Sequence, residues 1–197
     1  MRRASGTTRR LKGDVVRERE LLDSVRRGDR QAFASLYRIY HPRLYGYLQR
    51  LLRGPASIEE IINDVLYVVW KDARKYRGDA AVSSWIFGIA YRKAMSALRA
   101  DRRYQGRLER DVDPDTFAAD PPRDRDLVQA ALAELSFDHR QVVELTYFGG
   151  FSYMEIAEIA QCPVNTVKTR MFHARRRLKR LVPALAGEEK ERRRDNA

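Results

Sequence analysis

Cysteine is almost absent from this chain of 197 residues: Cys162 stands alone, so neither an internal disulfide nor a cysteine-rich zinc site can form. Set in a short turn, it reads as a small packed hydrophobe. Histidine is scarce too, and His41, His139 and His173 are isolated, without the spacing of a metal-ligand set. No apolar stretch approaches the roughly 20 residues that a membrane-spanning helix needs, so no membrane insertion is expected. The basic segment Met1 to Arg10 lacks the apolar run of a secretory signal and is expected to be a disordered arm. One cysteine and no signal suit a reducing, cytoplasmic location. A phosphate-binding glycine loop and a nucleophile elbow are both missing. Acidic pairs such as Glu59-Glu60 are explained as charges at a helix end. These absences point away from an enzyme, and no cofactor is expected.

What the sequence has is positive charge and helical periodicity. Its 39 Lys and Arg against 27 Asp and Glu give a formal charge of +12, which attracts a polyanion. The 44% of hydrophobic residues suffices for packed cores, and no segment shows a convincing strand pattern. The fold expected is all-α. Residues 111–126, DVDPDTFAADPPRDRD, are rich in breakers and charge with almost nothing to bury. They divide the chain into two small helical domains joined by a flexible linker. The expected boundaries are a basic arm and first-helix start at 1–27, a bundle at 28–103, a linker at 104–126, a second domain at 127–184 and a charged tail at 185–197. The tail, GEEKERRRDNA from Gly187, is too poor in apolar residues to order itself.

Within the first domain, Phe33, Leu36, Tyr37, Tyr40, Leu44, Tyr47, Leu48 and Leu51 recur at three- and four-residue steps, interrupted by Pro42 as a turn or kink. After Gly54-Pro55, Ser57 is positioned to cap a helix over Ile58 to Tyr76. That helix is apolar around most of its girth: Ile58, Ile61, Ile62, Val65, Leu66, Val69 and Trp70 are expected inside. One narrow stripe, Glu60, Asn63, Asp64, Tyr67 and Lys71, stays polar. Gly78-Asp79 opens a loop, and Ser83 or Ser84 starts the next helix, with Trp85, Ile86, Ile89, Ala90, Ala94 and Leu98 inward. Stripes of this kind pack into a bundle.

The sharpest local signal lies between Ser152 and Leu181. Ser152 with Glu155 forms a capping box that opens the short helix YMEIAEIA, which carries Ile156, Ala157 and Ala160 inward. A tight turn, Gln161-Cys162-Pro163, precedes a longer helix with Val164, Val167 and Met171 on its inner face. This is the helix-turn-helix pattern, whose second helix enters the major groove. Its outward residues are Asn165, Lys168, Thr169, Phe172, His173 and Arg176, and downstream come Arg175, Arg177, Lys179 and Arg180. These can reach bases and phosphates, and the phosphate contacts supply most of the affinity.

Two motifs in fixed order carry a resemblance. The segment SYMEIAEIAQCPVNTVKTRMFHARRRL resembles domain four of bacterial sigma factors. The segments DRQAFASLYRIYHPRLYGYLQR, IEEIINDVLYVVWKDARKY and SSWIFGIAYRKAMSALR resemble their domain two. Having only these two domains is similar to the extracytoplasmic-function (ECF) class, and the match covers most of the chain. The resemblance implies a protein that binds core RNA polymerase and promoter DNA, reading the minus thirty-five and minus ten elements and assisting melting at the latter. The stripe Glu60, Asn63, Asp64, Tyr67 and Lys71 would dock on the clamp helices of the polymerase. The loop from Arg77 to Ser83 would capture a flipped base, whose extrusion costs a few kcal/mol that a pocket must offset. Tyr76, Arg77, Asp79, Ser83, Arg92, Lys93 and Arg99 would serve the minus ten element. Tyr76 and Trp85 are candidate stacking platforms, though Trp85 falls on the apolar face, where the core is the expected place for it. Asn165, Lys168, Thr169, Phe172, His173 and Arg176 would read the minus thirty-five element, Phe172 against a thymine methyl or sugar. An anti-sigma factor is the further partner implied.

Several positions depart from the family pattern. Arg92 stands where Asn is usual, Ser96 where Asp is, and Asn63 where Gln is frequent. Ser136 replaces a common Pro and Gln161 the usual turn Gly. Base specificity is therefore not transferable. The alternative function is an autonomous helix-turn-helix regulator, which would need no polymerase-docking bundle but would need a dimer interface for a palindromic site.

Overall fold

The structure, a computed structural model, describes residues 12–52, 56–108 and 124–195. The expected basic arm up to residue 11, the Gly54-Pro55 break and most of the expected linker lie outside these residues. Among the described residues there are eight α-helices, one 3-10 turn and no strand. They are α1 (Lys12–Arg26), α2 (Arg30–Leu51), α3 (Ala56–Asp72), α4 (Val82–Leu108), α5 (Asp124–Ala133), α6 (Phe137–Tyr147), α7 (Tyr153–Ala160) and α8 (Val164–Asp195). The 3-10 turn, Ala73–Lys75, follows α3.

Helix α2 starts where Asp29 accepts hydrogen bonds from the amides of Gln31 (2.8 Å) and Ala32 (3.1 Å). It runs unbroken through Pro42, against the expected interruption, because the ridge Leu36, Tyr40, Leu44 and Leu48 stays buried along its length. Helix α3 begins at Ala56, so Ser57 falls inside its first turn instead of capping it. Its apolar residues Ile58, Ile61, Ile62, Val65, Leu66 and Val69 are buried, while Trp70 is only partly so. The turn after α3 is held by α1: Arg26 donates to the carbonyls of Ala73 (3.0 Å) and Tyr76. Glu18 of α1 is buried and meets Arg43 of α2 at 2.9 Å, tying these two helices together.

The C-terminal helices are capped with equal economy. Ser136 starts α6, accepting from the amide of His139. Arg140, itself buried, donates to the carbonyls of Leu132 (2.7 Å), Ala133 and Leu135 at and just beyond the end of α5. Gly149 and Gly150 turn the chain into α7, with Gly150 at φ +67°. The expected capping box is present, Glu155 accepting from the Ser152 amide at 2.8 Å. Gln161 takes the left-handed conformation at φ 51° and closes α7 without the customary glycine. Helix α8 continues to Asp195, through residues expected to form an unstructured tail.

The buried residues form one continuous core from Leu22 to Ala174, shared by both halves. Helix α7 packs on α4, and α6 meets α2.

Candidate nucleic-acid interface

The outer face of α8 is built by subtraction. Val167, Met171 and Ala174 are buried against the rest of the helix-turn-helix. A helix that buries this stripe turns the intervening residues outward. Asn165, Lys168, Thr169, Phe172, His173 and Arg176 are all exposed, and Phe172 keeps 62% of its surface in water. The Phe172 ring is thus left open on a basic face, one of several large hydrophobic side chains exposed among the described residues. Thr169 returns its hydroxyl to the Asn165 carbonyl at 2.9 Å. The helix is held at the angle it has by Arg170, paired with Asp138 at 2.7 Å, and by Arg175, which donates to the Tyr147 hydroxyl. Arg175 therefore points back to α6 and away from the exposed face. His173 lies against His139 with ring centroids 6.0 Å apart. Burial and the neighbouring His173 hold the His139 pKa below its ordinary value.

The second candidate region is a cavity of about 250 Å³ beside the loop after the 3-10 turn. Tyr76, Arg77, Asp79 and Arg92, four of the candidates for the minus ten element, line it. Gly78, at φ +86°, makes the tight reversal of this loop. The Tyr76 ring is buried against Trp85, with centroids 5.3 Å apart, and its hydroxyl bonds the Ala80 carbonyl. Burial raises the pKa of this phenol, with Arg19 and Arg26 opposing. Ser83 does not belong to the cavity. It is wholly buried, because α4 already begins at Val82 and turns this position into the core. Its neighbour Ser84 lines the cavity instead, with a buried Oγ that has no hydrogen-bond partner among the described residues. Trp85 was expected in the core and is half-buried, forming a wall of the cavity. Lys93 and Arg99 lie apart. Lys93 pairs with Asp64 of α3 at 2.6 Å, and Arg99 borders a separate hollow with Phe137 and Asp138.

The polar stripe of α3 is exposed at Glu60, Asn63, Asp64, Tyr67 and Lys71. Asn63 accepts from the Tyr37 hydroxyl at 3.3 Å, and Tyr67 is 62% exposed. Beside the stripe runs a groove of about 480 Å³ whose wall includes Phe33, Tyr37, Leu66 and Trp70. Phe33 packs edge-on to Trp70 at 5.2 Å. Sequence periodicity puts these aromatics inside, and the structure leaves them at a rim. The usable signal was their spacing: Phe33 and Tyr37 are one turn apart on α2, flanking the buried ridge.

Comparison with known proteins fits both halves. Residues 36–104 match the family described as Sigma-70 region 2, and residues 125–178 match Sigma-70, region 4. The chain is 33% identical over 177 residues to the ECF RNA polymerase sigma factor SigK of Mycobacterium ulcerans (strain Agy99), covering 83% of this chain and 92% of that protein. It is 30% identical over 190 residues to the RNA polymerase sigma-H factor of Pseudomonas aeruginosa, covering 85% and 95%. Among solved structures, the sigma factor RpoE of Bartonella quintana, in complex with the anti-sigma factor NepR, superposes with a TM-score of 0.66 at 26% identity. That match covers 77% of this chain and 96% of that one.

Proposed function

This chain belongs to the ECF RNA polymerase sigma factors, and from that membership we propose how its own residues divide the work of promoter-specific initiation. The stripe Glu60, Asn63, Asp64, Tyr67 and Lys71 docks core RNA polymerase, with the aromatic groove beside it receiving apolar side chains. Tyr67 supplies area at low entropic cost, and the charged residues set orientation. The cavity walled by Tyr76, Trp85, Ser84 and Arg92 takes an unstacked base of the minus ten element. The aromatic wall supplies stacking, which offsets the cost of unstacking the base. Arg77 and Arg92 attract the strand.

Helix α8 reads the minus thirty-five element through Asn165, Lys168, Thr169, Phe172, His173 and Arg176. The observation that carries the reading is this face: six residues able to contact bases or phosphates, all open to solvent, on the second helix of a helix-turn-helix. The working units are residues 28–103 and 127–184. The chain brings no catalytic chemistry of its own, and it acts in the cytoplasm, where polymerase and DNA are. The Bartonella relative, solved with its anti-sigma factor, supports the same kind of control here.

The test is protection of promoter DNA by the chain with core polymerase. Lys168→Ala and Phe172→Ala should lose protection at the minus thirty-five element while keeping polymerase binding. Unchanged protection in both variants would move the reading surface elsewhere. No helix among the described residues is long and apolar enough to cross a membrane.

A further inference from the structure

Away from the nucleic-acid surfaces, a cavity of about 540 Å³ opens between α1, α2, α4 and the turn after α6. Two ion pairs flank it. Glu18 of α1 meets Arg43 at 2.9 Å, and Arg50 meets Glu144, whose side chain is 0% exposed. Arg43 and Arg50 stand two turns apart on α2, about 10 Å along its axis, with Gly46 as the floor between them. Tyr47, Phe87 and Phe148 form the walls, and the exposed Asp14 and Arg17 of α1 stand at the mouth. Three features of this cavity call for a ligand. Glu144 Oε1 is buried without a hydrogen-bond partner, which is costly for a carboxylate oxygen. Arg50 gives only its Nε to Glu144 and Arg43 only one Nη to Glu18, so both keep N–H donors without an acceptor among the described residues. Gly46 lies in the middle of α2, where glycine weakens a helix, yet a Cβ there would meet only the end of the Arg50 side chain, at 3.4 Å. Open space is kept above it at the expense of helix stability. We propose that this cavity binds an aromatic α-amino acid whose ring carries an N–H or O–H donor.

The chemistry of the lining selects this class. Asp14, Glu18 and Glu144 balance Arg17, Arg43 and Arg50, so a ligand of one net charge gains little and a zwitterion gains at both ends. Asp14, Arg17 and Glu18 share one face of α1 by their spacing of three and four residues. An α-ammonium group meets Asp14 and Glu18, and an α-carboxylate meets Arg17 and the remaining donors of Arg43. The ring then lies over Gly46, where Tyr47, Phe87 and Phe148 supply offset and edge-on contacts. Its far end reaches Glu144 Oε1. An ionised carboxylate only accepts, so the ring must donate, and an indole N–H does nothing else. A neutral donor suits this oxygen better than a second cation, because Arg50 and Arg140 already act on the carboxylate. The volume falls in the range of small-molecule sites. The cavity shares no residue with the docking stripe, the minus ten cavity or the outer face of α8, so its failure and theirs are separate results.

The test titrates L-tryptophan into the full chain by isothermal calorimetry. One site with Kd below about 1 mM is expected, the ordinary efficiency for a ligand of about fifteen non-hydrogen atoms. The analogue 3-(1-naphthyl)-L-alanine has no ring donor and should bind about tenfold more weakly. Tryptamine, which lacks the carboxylate, should lose about as much. Gly46→Leu places a side chain in the space above α2. Saturable binding should vanish, while the urea midpoint stays at or above that of the parent, because leucine is the better helix former. Glu144→Gln is the second variant and serves if Gly46→Leu does not fold. A hydrogen bond to an uncharged acceptor is about half as strong, so the gap between tryptophan and the naphthyl analogue should shrink from about tenfold to about threefold. Three results would each overturn the assignment. They are no saturable heat up to about 10 mM, equal affinity for tryptophan and its naphthyl analogue in the parent chain, or undiminished binding by a folded Gly46→Leu variant.

Discussion

Replacing Gly149 with alanine tests whether the turn between α6 and α7 is as rigid as its packing implies. A Cβ at this position would lie 2.8 Å from the Leu145 carbonyl oxygen and 2.7 Å from Cδ2 of Phe151. Neither neighbour can step aside cheaply. The Leu145 carbonyl already accepts the Phe151 amide at 3.0 Å, and the Gly149 amide is bound to the Glu144 carbonyl at 2.9 Å. The Phe151 ring is buried against Phe87. Overpacking of a tight site costs about 1–3 kcal/mol, and a weakened buried hydrogen bond adds about 1 kcal/mol, so the expected loss is about 2–4 kcal/mol. In a chain of this size that lowers Tm by about 5–15 °C. Urea unfolding followed by circular dichroism measures it. Gly88→Ala is the matched control: its Cβ would meet nothing closer than 3.5 Å, and helix propensity favours alanine by up to about 1 kcal/mol. The reasoning is refuted if Gly149→Ala costs less than about 0.5 kcal/mol, or if Gly88→Ala is the more damaging of the two.

Other outcomes follow from the same contacts. Asp64→Ala breaks the pair with Lys93, but both side chains are partly exposed, so stability should change by less than about 1 kcal/mol. Polymerase binding, measured by co-sedimentation, should weaken well beyond that, and an unchanged affinity would remove Asp64 from the docking surface. Phe172→Ala should leave unfolding within about 0.5 kcal/mol, because the ring is exposed, while duplex binding at the minus thirty-five element weakens by about 1–3 kcal/mol. Burial raises the Glu144 pKa above its ordinary 4.5, with Arg50 and then Arg140 opposing. Burial, and after it the neighbouring Tyr91 and Glu144, hold the Tyr47 phenol protonated. The folded form therefore binds more protons than the unfolded one in this range. Its contribution to stability is fully present below pH 4.5 and is lost as the pH rises through the raised value. Stability of Glu144→Gln, followed by urea unfolding across that range, should lack this component. An identical pH profile in the variant and the parent would contradict it.

Much of the architecture was legible because it depends on local chemistry. The Ser152–Glu155 box, the ridge Leu36, Tyr40, Leu44 and Leu48, and the inward Val167 and Met171 each need only neighbours within a turn or two, and each is where the sequence pattern places it. The exposed face of α8 follows directly from that stripe. Errors came where tertiary packing decides. Ser83 and Ser84 are adjacent and equally polar in sequence, yet the start of α4 at Val82 sends the first into the core and the second into the cavity. Trp85 sits on an apolar face, but that face ends at a cavity wall. Phe33, Tyr37 and Trp70 have core-like spacing and line an open groove. The packing of Phe151 and of α7 on α4 joins residues some 60 to 70 positions apart in sequence, Phe87 to Phe151 and Gly88 to Ile159, and no local pattern encodes it.

The central claim is that this chain directs initiation through its own docking stripe and reading helix. The most direct measurement mixes the purified chain with bacterial core RNA polymerase and a genomic promoter library, then sequences the run-off transcripts. The account predicts discrete start sites that require the chain and that disappear with Asn63→Ala plus Asp64→Ala. Transcripts that are indifferent to the chain, or a chain that binds a defined duplex alone and never associates with polymerase, would contradict it.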